Sequence, residues 1–231
     1  MTLLRRLAAL VVASVALAAC GGAGAAGAVP SSPPASTSAT AAGRASASTV
    51  PGALTFTVAP GSKAIVRVNE QLAGRTLPSD AVLTSDKVSG RFTLLPDGTF
   101  TPDSAITVDL AALASDQALR DNVVHRVVLQ TSTYPDATFV PTKATGLPLP
   151  LPASGDLSFT LAGRMTVHGV AKDMTFDVTG TRTSGGVQVT ANAAPAFPFA
   201  TFGLTQPHVA RVLSIKDEIR LEVDLTATSG T

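Results

Sequence analysis

The side chains that carry most enzyme chemistry are few in this chain and widely separated. Its three histidines, His125, His168 and His208, are far apart in sequence, and none has the i,i+2 or i,i+4 spacing of a local metal-binding motif. No Gly-x-Ser-x-Gly sequence marks a nucleophile elbow. His168 is predicted to lie in a hairpin turn with a structural role. We therefore predict that the protein is not an enzyme and has no metal site and no cofactor.

The acidic residues nearest to a predicted helix have a simpler interpretation than catalysis. Asp116, Asp121 and Asp136 lie around that helix and the turn after it, where carboxylates commonly act as caps or stay solvated. Arg120 and Asp121 are predicted to form a local ion pair that positions the helix. An exposed pair of this kind contributes only about 0–1 kcal/mol.

Cys20 is the only cysteine of the chain, and its context indicates lipid modification. Arg5 and Arg6 precede an apolar run, Leu7–Ala19, that is shorter than the roughly 20 residues of a membrane-spanning helix. The run ends in Leu-Ala-Ala-Cys, so residues 1–20 are predicted to be a lipoprotein signal peptide ending at lipobox Cys20. Acylation of Cys20 would anchor the protein to a bacterial cell membrane on its extracytoplasmic side.

A low-complexity segment separates the signal peptide from the rest of the chain. Residues 21–53 are almost entirely Gly, Ala, Ser, Thr and Pro, with Arg44 as the single charge. Such a composition cannot bury enough apolar surface to fold, so we predict a flexible linker. Residues 54–231 are then predicted to form a single domain.

Charge and composition exclude some classes of partner. The chain has 231 residues, of which 45% are hydrophobic, which is sufficient for one domain with a substantial core. Its formal net charge is only +1. Nucleic-acid binding requires a clustered basic surface, so no nucleic-acid partner is expected.

The hairpin predicted over residues 156–180 shows the dominant pattern of the domain. Apolar and polar residues alternate in both of its arms, as in half-buried antiparallel strands. Similar short runs predict about nine strands in all: 54–59, 63–70, 87–95, 99–110, 137–145, the two arms, 186–193 and 213–226. Only residues 110–129 have a helical period, which predicts one or two short helices beginning near Ser115 or Asp116. The fold class is all-β, an antiparallel barrel or sandwich.

Several short motifs resemble the YceI-like family of lipid and polyisoprenoid-binding proteins over roughly residues 54–228. The matching pieces are Arg120-Asp121, Tyr134-Pro135, Phe139, Gly163–Lys172, Phe202-Gly203-Leu204 and Asp217–Glu222. The resemblance implies an antiparallel lipocalin-like β-barrel with a short inserted helix, enclosing a long amphiphile and carrying no catalytic residues. The chain departs from the family pattern near its start, where members commonly carry a His-Ser-like pair opening the second strand and another His closing it. Here residues 61–63 retain only Ser62 of that pair, and residues 68–70, ending at Glu70, contain no histidine.

Together, the resemblance and the alternating strands predict a ligand inside the barrel. We expect an elongated apolar molecule, an isoprenoid or acyl chain. The candidate lining residues are Phe139, Phe159, Leu161, Met165, Phe176, Val178, Leu221 and Val223. Periodicity alone cannot exclude a barrel filled by its own side chains. The alternative function is therefore a cell-envelope interaction protein with a filled barrel, whose loop Gly146–Pro152 binds an unknown protein partner.

Overall fold

A computed structural model describes residues 50–230 of the chain. The predicted signal peptide, its Cys20 and the linker up to residue 49 lie outside the described residues. The first strand begins at Leu54, where the domain was predicted to begin. Among the described residues, no helix combines the length and the hydropathy that crossing a bilayer requires.

The described chain is built on one antiparallel sheet of ten strands. The strands are β1 Leu54–Val58, β2 Lys63–Leu72, β3 Ser79–Ser85, β4 Val88–Leu94, β5 Ala105–Asp109, β6 Asp136–Thr145, β7 Gly155–Val167, β8 Val170–Thr183, β9 Gly186–Ala193 and β10 Val212–Ser229. The all-β prediction is confirmed. Two details differ: β3 was missed, and the strand predicted over residues 99–110 is confined to β5.

The sheet closes into a barrel because β1 pairs with both β4 and β10. Eight strands, β1 and β4–β10, form the closed wall in the order β1-β4-β5-β6-β7-β8-β9-β10. The β2–β3 hairpin extends this wall, since β2 pairs with β10 from Val212 to Asp224. The long strand β10 therefore runs from one end of the barrel, beside Leu72, to the other, where Ser229 pairs with Phe56.

The predicted helical region contains two short segments. Helix α1, Ala118–Val123, continues directly into a π-helical turn, Val124–Val128. Neither Ser115 nor Asp116 caps α1, whose N-cap is Gln117 without a side-chain cap bond. Asp121 does not pair with Arg120, because its carboxylate accepts hydrogen bonds from the backbone N–H and the hydroxyl of Ser115.

The predicted hairpin corresponds to β7 and β8, which pair from Gly155 with Arg182 to Val167 with Val170. Its turn consists of His168 and Gly169, whose φ angles of 52° and 73° are typical of a tight two-residue turn. His168 packs edge-on against the ring of Tyr134, with the ring centroids 4.5 Å apart. Lys172 and Asp173 lie beyond the turn, within β8.

Gly163 in β7 makes room for the aromatic ring of Phe139. A Cβ atom at this position would overlap that ring and lie 2.6 Å from the carbonyl oxygen of Val140. We expect Gly163→Ala to lower the free energy of unfolding by about 1–3 kcal/mol through overpacking. Gly185→Ala is the matched control, because its new methyl group would have no neighbour closer than 3.9 Å. Urea denaturation of both variants measures the difference, and equal stabilities would contradict the role given to Gly163.

Candidate functional site

The barrel encloses a cavity of about 670 Å³. This volume is within the range of roughly 300–1,000 Å³ found for small-molecule sites. The walls consist mainly of aliphatic and aromatic side chains from the inner faces of the strands. The cavity does not fit the alternative of a barrel filled by its own side chains.

All eight predicted lining residues lie on the wall of this cavity. Met165, Phe176 and Val178 are buried, and Phe139 packs edge-on against Phe176 with ring centroids 5.0 Å apart. The other four are half-buried although they belong to the inner faces of paired strands: Phe159, Leu161, Leu221 and Val223. Their residual exposure is explained by the cavity that they face. That these residues contact a ligand stays a prediction.

Strand β2 contributes a second row of wall residues that the sequence interpretation did not include. Every other side chain along it, Ala64, Val66, Val68, Glu70 and Leu72, lines the cavity. Eight residue steps at about 3.3 Å each correspond to roughly 26 Å along the strand. The cavity is therefore elongated. The alternation of side chains along residues 63–72 was the sequence signal that could have identified this row of wall residues.

One end of the cavity is closed by a second apolar cluster and a proline-rich loop. Phe56, Leu157 and Val187 are buried in this cluster, and Leu147 and Leu151 of the loop pack against it. The guanidinium of Arg182 lies 5.6 Å from the ring centroid of Phe56. The loop predicted as a partner-binding segment therefore covers the barrel end with two of its leucines. No observation identifies a protein partner, which stays a prediction.

The other end is the mouth of the cavity, and it is polar. Glu70 is the one acidic side chain on the inner face of β2, and it is only 6% exposed. Arg120 of α1 donates a hydrogen bond of 2.7 Å to Glu70 and one of 2.5 Å to Asp116. We name these three residues the mouth cluster.

The hydrogen bond from Arg120 lowers the pKa of Asp116 below its usual range. Partial burial opposes the charge on Arg120, but the bonds to both carboxylates raise its pKa.

Ser62, the residue that survives from the family pattern, has a structural role here. It is buried, and its hydroxyl donates to the carbonyl oxygen of Ala59 and accepts from the backbone N–H of Thr226. It therefore joins the chain before β2 to strand β10. Ser62 does not line the cavity.

The histidines do not assemble into a reactive centre. His125 Nε2 lies 2.8 Å from the carbonyl oxygen of Leu113, His168 is in the turn described above, and His208 is exposed. Within residues 50–230, no group of three His, Cys, Asp or Glu side chains could hold a metal ion. The absence of catalysis and of a cofactor stays a prediction.

Comparison with known sequences identifies a family. Residues 62–227 match the family model described as a YceI-like domain. A UPF0312 protein of Pseudomonas putida is 35% identical over 124 residues, which are 48% of this chain and 61% of the relative. The match thus spans less than two thirds of this curated relative.

Solved structures share the fold at low sequence identity. A polyisoprenoid-binding domain from Saccharophagus degradans has a TM-score of 0.58 and 15% identity, covering 77% of this chain and 99% of that domain. BcnA of Burkholderia cenocepacia has a TM-score of 0.53 and 17% identity, covering 75% of this chain and 99% of BcnA. The YCEI protein of Campylobacter jejuni has a TM-score of 0.51 and 18% identity, covering 70% and 91%. These similarities establish the lipocalin-like barrel.

Proposed function

This chain belongs to the YceI-like domain family, and from that premise we propose that it binds one elongated apolar molecule, an isoprenoid or acyl chain, inside its barrel. The single observation that carries the proposal is the apolar cavity of about 670 Å³ along the barrel. The similar domain from Saccharophagus degradans, described as polyisoprenoid-binding, supports the choice of ligand class.

The chemistry of the two cavity ends suggests how such a ligand would lie. Its hydrocarbon tail would extend toward the apolar cluster around Phe56 and Leu157, which is closed by the proline-rich loop. A polar end group would remain at the mouth, near Arg120 and Glu70, where it keeps access to water and to hydrogen-bonding partners.

Affinity is expected to rise with the length of the ligand chain. Each CH₂ group removed from water contributes about 0.8 kcal/mol, so one five-carbon isoprene unit contributes at most about 4 kcal/mol. We expect geranylgeraniol to bind at least about tenfold more tightly than farnesol, a difference of about 1.4 kcal/mol. Competition against a fluorescent fatty acid measures both affinities.

Salt should have little effect on the affinity, because burial of an alcohol's hydrocarbon chain does not depend on ionic screening. Equal affinities, or binding lost at high salt, would contradict this mode of binding.

The second part of the proposal is that acylated Cys20 holds the domain on the extracytoplasmic face of a bacterial membrane. It rests on the Leu-Ala-Ala-Cys sequence after a short apolar run. More than one acyl chain makes such anchoring lasting.

Replacing Cys20 is expected to release the domain from the membrane. Since the acyl chains have no other attachment point, Cys20→Ala should appear as an unprocessed or unanchored protein. Cell fractionation and the mass of the mature N-terminus measure this result. A Cys20→Ala protein that is cleaved and membrane-bound to the same extent as the unaltered protein would exclude the lipoprotein assignment.

A further inference from the structure

We propose that the mouth of the barrel docks directly onto the surface of a lipid bilayer, with Leu77, Leu119 and Leu213 entering the interfacial layer. This inference rests on the proposed function, since a bilayer is the natural source or destination of a ligand that is insoluble in water. It concerns the rim of the opening rather than the interior of the barrel, and it is testable without any ligand.

Three exposed leucines carry the inference. Leu119, Leu77 and Leu213 are 80%, 75% and 68% exposed and are the three most exposed large apolar side chains of residues 50–230. They come from three separate segments: helix α1, the loop between β2 and β3, and the start of β10. Isolated exposed leucines are ordinary on a protein surface, so the inference depends on where these three lie relative to the opening.

The pairing of the strands places all three leucines at the mouth. Leu119 lines the cavity and precedes Arg120, which is bonded to Glu70. Glu70 pairs with Ser79 at the end of the loop that carries Leu77. Leu213 follows Val212, which pairs with Leu72 at the other end of the same loop.

The charges at the mouth fit an anionic lipid surface. Arg75 and Arg211 both line the opening and are exposed, and neither forms an ion pair within the described part of the chain. The adjacent acidic groups are already engaged, since Glu70 and Asp116 bind Arg120, and Asp80 binds Arg220. Arg120 with its two carboxylates carries a net charge of −1, Asp80 with Arg220 is neutral, and Arg75 and Arg211 add +2. These groups together therefore carry a net charge of +1, and the two unpaired basic side chains beside apolar ones favour an anionic lipid surface.

The opposite end of the barrel lacks this combination. Its large exposed apolar side chains are Val50 and Leu149, which are 46% and 39% exposed. Leu149 lies in the proline-rich loop, between two leucines that pack inward. The structure therefore assigns one orientation, with the mouth against the bilayer and the proline-rich loop away from it.

Single tryptophan reporters test this orientation, because the chain contains no tryptophan of its own. Leu77→Trp, Leu213→Trp and the matched control Leu149→Trp would each be made in the full-length protein. None of these three residues lines the cavity. Each protein is reconstituted with vesicles of phosphatidylcholine and phosphatidylglycerol whose acyl chains are brominated, and the fluorescence is compared with that in unbrominated vesicles.

We expect at least about twofold quenching at positions 77 and 213 and little at position 149, because bromine quenches only indoles that enter the acyl region. Quenching that is absent at the mouth, or equal at all three positions, would overturn the docking proposal. Quenching at the mouth in a protein that binds no polyprenol would instead retain docking and refute the proposed ligand. The failures of the two proposals are thus distinguishable.

Discussion

Replacing Ala191 with phenylalanine is expected to block ligand binding while leaving the barrel folded. Ala191 lies in the second half of β9, paired with Val178 on one side and Val223 on the other, and it lines the cavity. The introduced ring would occupy the cavity, where it displaces ligand rather than packed side chains. If it excludes roughly three CH₂ groups at about 0.8 kcal/mol each, affinity falls by about 2.4 kcal/mol, or roughly fiftyfold.

The matched control for this substitution is the next residue along the strand. Asn192 is exposed, and its side chain points to the opposite face of the sheet. Asn192→Phe should therefore retain the affinity for geranylgeraniol, measured by the same competition assay, and both variants should show the circular dichroism of the unaltered protein. Normal affinity in a folded Ala191→Phe protein would mean that the ligand does not occupy the middle of the barrel.

Removing Arg120 is expected to cause a large loss of stability. The side chain of Glu70 is 7% exposed, and Arg120 is its ion-pair partner at 2.7 Å. Arg120→Met would leave a buried carboxylate without its counter-charge, which typically costs about 3–5 kcal/mol. We expect a value near 3 kcal/mol, because the site adjoins the mouth of the cavity, where water can approach the carboxylate. Urea denaturation measures the change.

A double-mutant cycle distinguishes the lost pair from lost packing. Adding Glu70→Leu to Arg120→Met removes the unpaired charge, so the double variant should recover most of the stability. The exposed pair between Arg220 and Asp80 provides a control, since Arg220→Met should change the stability by only about 0–1 kcal/mol. Independent, additive effects of the two changes at Glu70 and Arg120 would show that the ion pair has no special role.

The strands of the hairpin and of β10 were predictable because burial on one side of a sheet leaves a period of two in the sequence. The inward positions of Phe159, Phe176 and Leu221 follow from that period. Whether these side chains face a cavity or a packed core could not be predicted from the period, since a filled barrel and a hollow one show the same alternation. Whether apolar side chains meet across the axis depends on how the strands close, which is a property of the whole sheet.

The mouth could not be predicted, because its parts are brought together by non-local pairing. Glu70 and Arg120 are 50 residues apart in sequence, and no local pattern connects them. The expected pair between Arg120 and Asp121 was wrong: Arg120 instead binds Asp116, four residues before it, and Glu70, which the fold brings close. Strand β3 was not predicted. In the structure its residues Ala81, Leu83 and Ser85 are buried, and the residues between them are more exposed.

Identification of the bound molecule tests the central proposal most directly. All ten strands and both apolar clusters lie after residue 53, so residues 54–231 can be produced without the lipid anchor. The purified domain is extracted with organic solvent, and the extract is analysed by mass spectrometry and compared with that of Ala191→Phe. We predict roughly one long apolar molecule per domain, depleted in the variant. No stoichiometric lipid in the extract, together with a crystal structure in which Phe159, Met165 and Phe176 fill the barrel, would contradict the proposal.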